Sequence, residues 1–138
     1  MEKIQTIAEN IGKNFCLAYA YLWAAGVPVD CVEYFKICYF AIKAGEKIGG
    51  LDNECYVTDA EKFLFFATGR RYRVTKKVVA SLSGIKSRTP VQFSAPGYIP
   101  HFVGVENEKI QFDGYLNSKS VEKGKPISAR IVEEIKSK

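Results

Sequence analysis

The sequence predicts an α+β domain, with helices in the first half of the chain and antiparallel strands in the second. Two observations support this division. Up to residue 68, apolar residues recur at helical spacing, whereas from residue 72 onward β-branched and aromatic residues partly alternate with polar ones between prolines. The 138 residues, 47% apolar and 25% charged, match a globular protein with one core and exclude disordered and fibrous classes. Residues 1–138 are therefore treated as a single domain.

The first half of the chain carries the signals of four helices. They are predicted over residues 2–11, 15–25, 30–43 and 59–68. The second is apolar nearly all round, which is typical of a helix in the middle of a domain. Asn14 is expected to cap its N-terminus, and Cys16 falls in its first turn. Thr58 and Glu61 form the pattern of a capping box before the fourth helix.

The second half of the chain carries the signals of five strands. They are predicted over residues 72–79, 91–94, 101–106, 109–115 and 129–134. The third and fourth form the pattern of a hairpin with its turn at Glu106-Asn107-Glu108. Helices followed by antiparallel strands favour α+β over an alternating α/β fold.

Charge and histidine content exclude several function classes. The net charge of +5 is a mild excess that permits an acidic partner without requiring one. His101 is the only histidine, so zinc sites with two imidazoles are excluded. The basic run at residues 70–77 surrounds Tyr72, an ingredient of nucleic-acid surfaces, but no established nucleic-acid-binding signature accompanies it. A solvated strand face is the preferred interpretation of this run, and nucleic-acid binding is the weaker alternative.

The cysteines and the N-terminus bear on compartment. No apolar run follows a basic tip at the start, and no stretch approaches the roughly 18 apolar residues of a membrane span, so a cytoplasmic protein without a membrane span is expected. The four cysteines contain no C-x-x-C pair, and a reducing compartment argues against disulfides. Cys31 and Cys38, seven residues apart, are predicted to be buried on one helix face. No metal or other cofactor is implied, and the oligomeric state is left open.

Three polar residues occupy positions that favour nucleophilic catalysis. Cys16 begins the buried helix, where the helix dipole and free amides favour a thiolate. His101 begins an otherwise apolar strand, and Asp113 lies on the returning strand of the same hairpin. Together they predict a Cys-His-Asp triad. In it Cys16 attacks a carbonyl, His101 transfers the proton and Asp113 orients the imidazole.

The order and setting of these residues resemble the papain-like cysteine peptidase superfamily. The resemblance is carried by NFCLAYAYLWAAG, PHFVGV and IQFDGY, and it is strongest to small bacterial members, namely NlpC/P60-like cell-wall amidases and bacteriocin-processing peptidases. It implies a nucleophile helix packed on a C-terminal antiparallel sheet. It also implies a peptidase or amidase acting on a peptide or cell-wall peptide. The whole chain, including its closing FDGYLNSKSVEKGKPISARIV, is in addition similar to an uncharacterised family of phage- and plasmid-encoded bacterial proteins.

The resemblance also suggests an oxyanion-binding residue and shows two departures. Members often carry glutamine or asparagine a few residues before the nucleophile, which makes Asn10 the candidate donor beside the backbone amide of Cys16. NlpC/P60 proteins commonly have a second histidine, which this chain lacks, so the bacteriocin-processing triad is the better match. Leu17 stands where many relatives carry a small residue or tryptophan.

Each candidate residue also has a structural interpretation. Cys16 fits an ordinary core cysteine, His101 a satisfied structural histidine, and Asp113 a turn residue before Gly114. Together with the departure at Leu17, these interpretations support the alternative of a catalytically inactive papain-like binding module. The leading hypothesis is a cysteine hydrolase that cleaves an amide bond.

Overall fold

A computed structural model describes residues 2–28, 30–113 and 119–136. The helices in this part of the chain are α1 (Glu2–Asn14), α2 (Cys16–Ala24), α3 (Cys31–Ala44), α4 (Glu46–Gly49), α5 (Ala60–Thr68) and α6 (Lys119–Lys123). The strands are β1 (Tyr72–Val78), β2 (Thr89–Ser94), β3 (His101–Glu106), β4 (Lys109–Phe112) and β5 (Lys125–Glu134). No helix among the described residues is both long and apolar enough to cross a membrane.

The strands form one antiparallel sheet in the order β1-β5-β2-β3-β4. The predicted α+β class is therefore confirmed, with five helices before the sheet. Helices α4 and α6 were not predicted, because four or five residues are too few to show a helical period. The β3–β4 turn is confirmed. Asn107 and Glu108 both have positive φ (54° and 64°), as a two-residue hairpin turn requires.

Helix α2 lies against the sheet at the centre of the molecule. Residues 18–23 are all buried, as its all-round apolar sequence predicts. Trp23 near its C-terminal end stacks on Phe112, with ring centroids 5.9 Å apart. The Arg88 guanidinium lies 4.7 Å from the Trp23 ring centroid and donates to its carbonyl oxygen at 2.9 Å. These contacts fix the far end of α2 and hence the direction in which its N-terminus points.

The two faces of the sheet carry separate cores. Gly104 faces Trp23 of α2, whereas Val103 and Val105 alternate with it and point to the opposite face. There they join a second apolar cluster, to which Leu82 and Val121 contribute from outside the sheet. The chain therefore buries both faces of its central strands.

Two predicted helix caps are wrong. Asn14 is the last residue of α1, and the N-cap of α2 is Phe15, which makes no side-chain cap hydrogen bond. Asp59 caps α5 by accepting from the backbone N–H of Lys62 at 3.0 Å. Thr58 instead donates to the Gly50 carbonyl oxygen at 3.2 Å. In both cases the predicted capping side chain makes a tertiary hydrogen bond that local sequence does not reveal.

The predicted burial of two cysteines is half correct. Cys38 is fully buried. Cys31 is exposed because it is the first residue of α3 and precedes the buried positions of that helix, which begin at Tyr34. The Cys38 thiol contacts the thiol of buried Cys55, and that contact together with burial raises the pKa of Cys38. Cys38 and Cys55 thus pack as core residues.

Candidate active site

Cys16 is the first residue of α2 and is half-buried. The opening amides of a helix have no partner within it, and the positive end of the dipole lies there. Since Phe15 offers no side-chain cap, no side chain of the N-cap competes for these amides. The thiol therefore lies at the positive end of the α2 dipole, beside backbone N–H groups that have no partner within the helix.

His101 and Asp113 meet at the open end of the β3–β4 hairpin. The Nε2 atom of His101 lies 2.7 Å from Oδ1 of Asp113, and both side chains are largely buried, with 10% and 16% exposed. His101 opens β3, and Asp113 directly follows the last residue of β4. Antiparallel pairing therefore brings together two residues 12 positions apart.

The side chain of Cys16 lies near His101 and interacts with its imidazole. Burial on its own lowers the pKa of His101, but the hydrogen bonds and charges of Asp113 and Cys16 outweigh it and raise the pKa from 6.5 to about 9. At neutral pH the imidazole is therefore protonated. An imidazolium beside a thiol stabilises the thiolate.

Asn10, the predicted oxyanion donor, lies elsewhere. Its side-chain amide donates to the carbonyl oxygen of Asn53 at 2.9 Å, and Asn10 is absent from the lining of the cavity that contains Cys16. The structure thus brings together Cys16, His101 and Asp113 but not Asn10. The helical position of Asn10 turns its side chain toward the loop before α5 instead of toward the nucleophile.

Cys16 and His101 open into a cavity of about 900 Å³. It is lined by residues 12–17, 55–57, 92, 97–102 and 120. Aromatic and aliphatic side chains make up much of this lining, and among the described residues none of the lining side chains is a carboxylate. Exposed Tyr56, Tyr98 and Ile99 belong to the lining, so apolar surface is available on two sides of the cavity.

One wall of the cavity is held by hydrogen bonds to α1. Asn10 and Asn14 donate to the consecutive carbonyl oxygens of Asn53 and Glu54, each at 2.9 Å. Asp52 accepts from the backbone N–H groups of Glu54 and Tyr56 within the same loop. The loop is therefore tied to the helix that precedes the nucleophile.

Gln92 is a cavity residue that the sequence analysis missed. It lies on β2 opposite Phe102 of β3, and its Oε1 accepts from the Ser128 hydroxyl at 3.0 Å. The signal available in the sequence was a polar residue between two apolar ones, in VQF. Both apolar neighbours, Val91 and Phe93, are buried in β2. Such a residue usually has a specific hydrogen-bond partner.

Comparison of the chain with protein-family models, with curated proteins and with solved structures finds no match. Functional inference for this protein therefore depends on the geometry of the cavity. Among the described residues, no group of three or more His, Cys, Asp and Glu side chains is placed to hold a metal ion.

The basic run of β1 has a different environment from the cavity. Tyr72 is buried in the core, and Arg70 forms an ion pair with Glu134 of β5 at 3.4 Å. Arg73 and Lys76 are exposed without an exposed aromatic side chain between them. This surface has the charge of a nucleic-acid site but not its aromatic stacking platform.

Proposed function

We propose that the protein is a small papain-like thiol hydrolase that cleaves an amide bond. The observation that carries this proposal is that the single histidine is hydrogen-bonded to Asp113, interacts with Cys16, and lines the same large cavity as Cys16. An inert core cysteine would have no reason to share a buried imidazole with a carboxylate. The inactive-module alternative receives no such support from the described residues.

The chemistry assigned to the three side chains is acyl transfer. The Cys16 thiolate attacks the substrate carbonyl carbon and forms a C–S bond, while the carbonyl π electrons move to oxygen. As the tetrahedral species collapses, the C–N bond breaks and the His101 imidazolium gives its proton to the leaving amine. The neutral imidazole then takes a proton from water, whose oxygen attacks the thioester, and the acid and thiolate are released. Asp113 orients the ring throughout.

The cavity favours a peptide with an apolar side chain beside the cleaved bond. Phe15, Leu17 and Val57 line it together with the exposed aromatic and aliphatic residues of its two sides. Apart from Lys13 and the imidazole of His101, no charged side chain of the described residues lines it, so a charged substrate side chain would lose solvation there without a counter-charge. Peptides of a cell wall or of a phage-related protein are the substrate class proposed. A reducing cytoplasm suits the four free thiols.

Cysteine alkylation tests the activated pair and includes its own control. Cys16 and Cys31 are each the first residue of a helix, but only Cys16 contacts a histidine, and Cys31 is the more exposed. At pH 6 an ordinary thiol with a pKa of about 8.5 is almost wholly protonated. Iodoacetamide should therefore alkylate Cys16 at least about tenfold faster than Cys31. Peptide mass spectrometry resolves the two rates.

The variant His101→Ala identifies the cause of the difference. It should slow alkylation of Cys16 at pH 6 to near the rate of Cys31 and leave Cys31 unchanged. Equal rates in the unmodified protein, or a Cys16 rate unaffected by the substitution, would contradict the proposal and favour a binding module.

A further inference from the structure

A chain of hydrogen bonds leads from the sheet into the cavity. Arg130 donates through Nη1 to the hydroxyl oxygen of Ser128 at 2.9 Å, and Ser128 donates to Oε1 of Gln92 at 3.0 Å. Since the guanidinium has only donors, the Ser128 oxygen must accept from it, and the hydroxyl hydrogen is left for Gln92. The Gln92 amide is therefore held with Oε1 toward Ser128 and Nε2 on its other side.

The first member of this chain is itself held firmly. The Arg130 guanidinium lies 5.0 Å from the Phe102 ring centroid and interacts with the side chain of Tyr21 of α2. Ser128 is buried, with 3% of its surface exposed. A fixed cation and a buried hydroxyl leave little freedom to rotate the Gln92 amide.

Sheet register places Gln92 on the face that α2 covers. Gln92 pairs with Phe102 and with Ser128, and Phe102 is two residues from Gly104, which faces Trp23. Cross-strand partners point to the same face of a sheet. Gln92 thus projects toward the helix that begins at Cys16, and both line the same cavity.

The Nε2 amide hydrogens of Gln92 remain available in this arrangement. Among the described residues, no side chain or backbone group accepts a hydrogen bond from them. The Nε2 atom is also not fully buried, because every fully buried side-chain nitrogen and oxygen among the described residues has a hydrogen-bond partner. The free donors therefore open into the cavity.

We propose that Gln92 is the side-chain oxyanion donor of this site, with Ser128 and Arg130 as positioning residues. Attack of the Cys16 thiolate puts negative charge on the carbonyl oxygen, and a preoriented amide donor in a partly dry cavity stabilises that charge. The backbone N–H of Cys16 at the start of α2 supplies the second donor. The oxyanion-binding role predicted for Asn10 is thus assigned to Gln92 of β2.

This inference rests on the proposed function. Two reactions of the Cys16 thiol distinguish a failure of the inference from a failure of the proposed function. Acylation of Cys16 by p-nitrophenyl acetate proceeds through an oxyanion and releases p-nitrophenolate. Alkylation by iodoacetamide is a direct displacement at carbon and develops no oxyanion. Loss of an oxyanion donor therefore slows acylation and leaves alkylation unchanged.

The experiment compares three variants with the unmodified protein. Gln92→Ala should lower the acylation rate by about 10²-fold or more and leave the alkylation rate of Cys16 within about twofold. Ser128→Ala should give a smaller loss of acylation, again with alkylation unchanged. Gln5→Ala is the matched control, since it removes an exposed amide of α1 that bonds Glu9 outside the cavity, and it should preserve both rates.

The outcomes are distinct. If Gln92→Ala preserves acylation, or lowers acylation and alkylation equally, the assignment of Gln92 is overturned while the proposed function stands. If Gln5→Ala lowers acylation as much as Gln92→Ala does, the loss does not come from an oxyanion donor and the assignment of Gln92 is likewise overturned. If Cys16 of the unmodified protein reacts no faster than Cys31 with iodoacetamide, the proposed function itself fails.

Discussion

The imidazole of His101 is subject to opposing influences at the scale of a single residue. Its burial disfavours the charged ring, whereas Asp113 at Nε2 and the nearby side chain of Cys16 favour it. Because the partners outweigh burial, the ring is an imidazolium at neutral pH. A resting imidazolium already holds the proton that the leaving amine needs.

A direct measurement of the His101 pKa tests this balance. His101 is the only histidine of the chain, so an NMR titration shows a single imidazole. We expect a pKa of about 9 in the unmodified protein. In Asp113→Asn the ring stays buried but loses a negative charge and a strong acceptor, so its pKa should fall.

Cys16→Ser is a second variant for that titration. It keeps a hydrogen-bonding group beside the imidazole but removes the thiolate, so it should also lower the pKa of His101. A pKa near 6.5 in the unmodified protein, unchanged in both variants, would show that the three groups do not interact in solution.

At the scale of elements, the contact between α2 and β3 positions the nucleophile. A Cβ atom built on Gly104 would lie 2.4 Å from Cε3 of Trp23 and 3.0 Å from Cβ of Phe112. Strand and helix therefore approach closely because position 104 has no side chain. This spacing lets the first turn of α2 reach the first residue of β3.

Two glycine-to-alanine substitutions test the contact between α2 and β3, and they should change the free energy of unfolding in opposite directions. Gly104→Ala forces Trp23 to move and should lower the free energy of unfolding by about 1–3 kcal/mol. Gly12 lies within α1 with nothing within 4 Å of a built Cβ, so Gly12→Ala should raise it by about 0.5–1 kcal/mol. Urea unfolding followed by circular dichroism measures both. A neutral Gly104→Ala would show that the helix and strand are less closely packed.

At the scale of the whole molecule, the cavity is assembled from distant segments. The start of α2, the loop before α5 and the segment before β3 each supply part of its lining, and Ser120 of α6 adds a hydrogen bond to the Ile99 carbonyl oxygen. Ile99 is 87% exposed, although it is aliphatic. An exposed apolar residue at a cavity is typical of a surface that a ligand covers.

Substrate selectivity tests the apolar character of the cavity. The p-nitrophenyl esters of N-acetyl-leucine and N-acetyl-asparagine differ little in side-chain size but strongly in polarity. The leucine ester should have the higher kcat/KM by about tenfold or more. Ile99→Ser should reduce this preference severalfold without lowering the rate of Cys16 alkylation. Equal kcat/KM values for the two esters would refute an apolar binding surface beside the nucleophile.

Local sequence predicted the elements of this fold well. The apolar run of α2, the period of α3 and the alternation of β3 depend on near neighbours, so their bounds differ from the predicted ones by at most two residues. Strand β5 begins four residues earlier than predicted, at Lys125, because its first residues pair with β2 despite having little strand pattern of their own. Pairing with β2 therefore makes β5 longer than its local sequence pattern indicated.

The sequence by itself determined the α+β class, the buried nucleophile helix and the one histidine available as its partner. It also indicated Asp113, because a hairpin with a short turn has a register that can be counted along the chain. Only the tertiary structure decided that Asn10 binds a loop and that Gln92 enters the cavity. The choice depends on which way helices and strands face one another, and residues 76 positions apart along the chain, such as Cys16 and Gln92, carry no local signal of sharing a cavity.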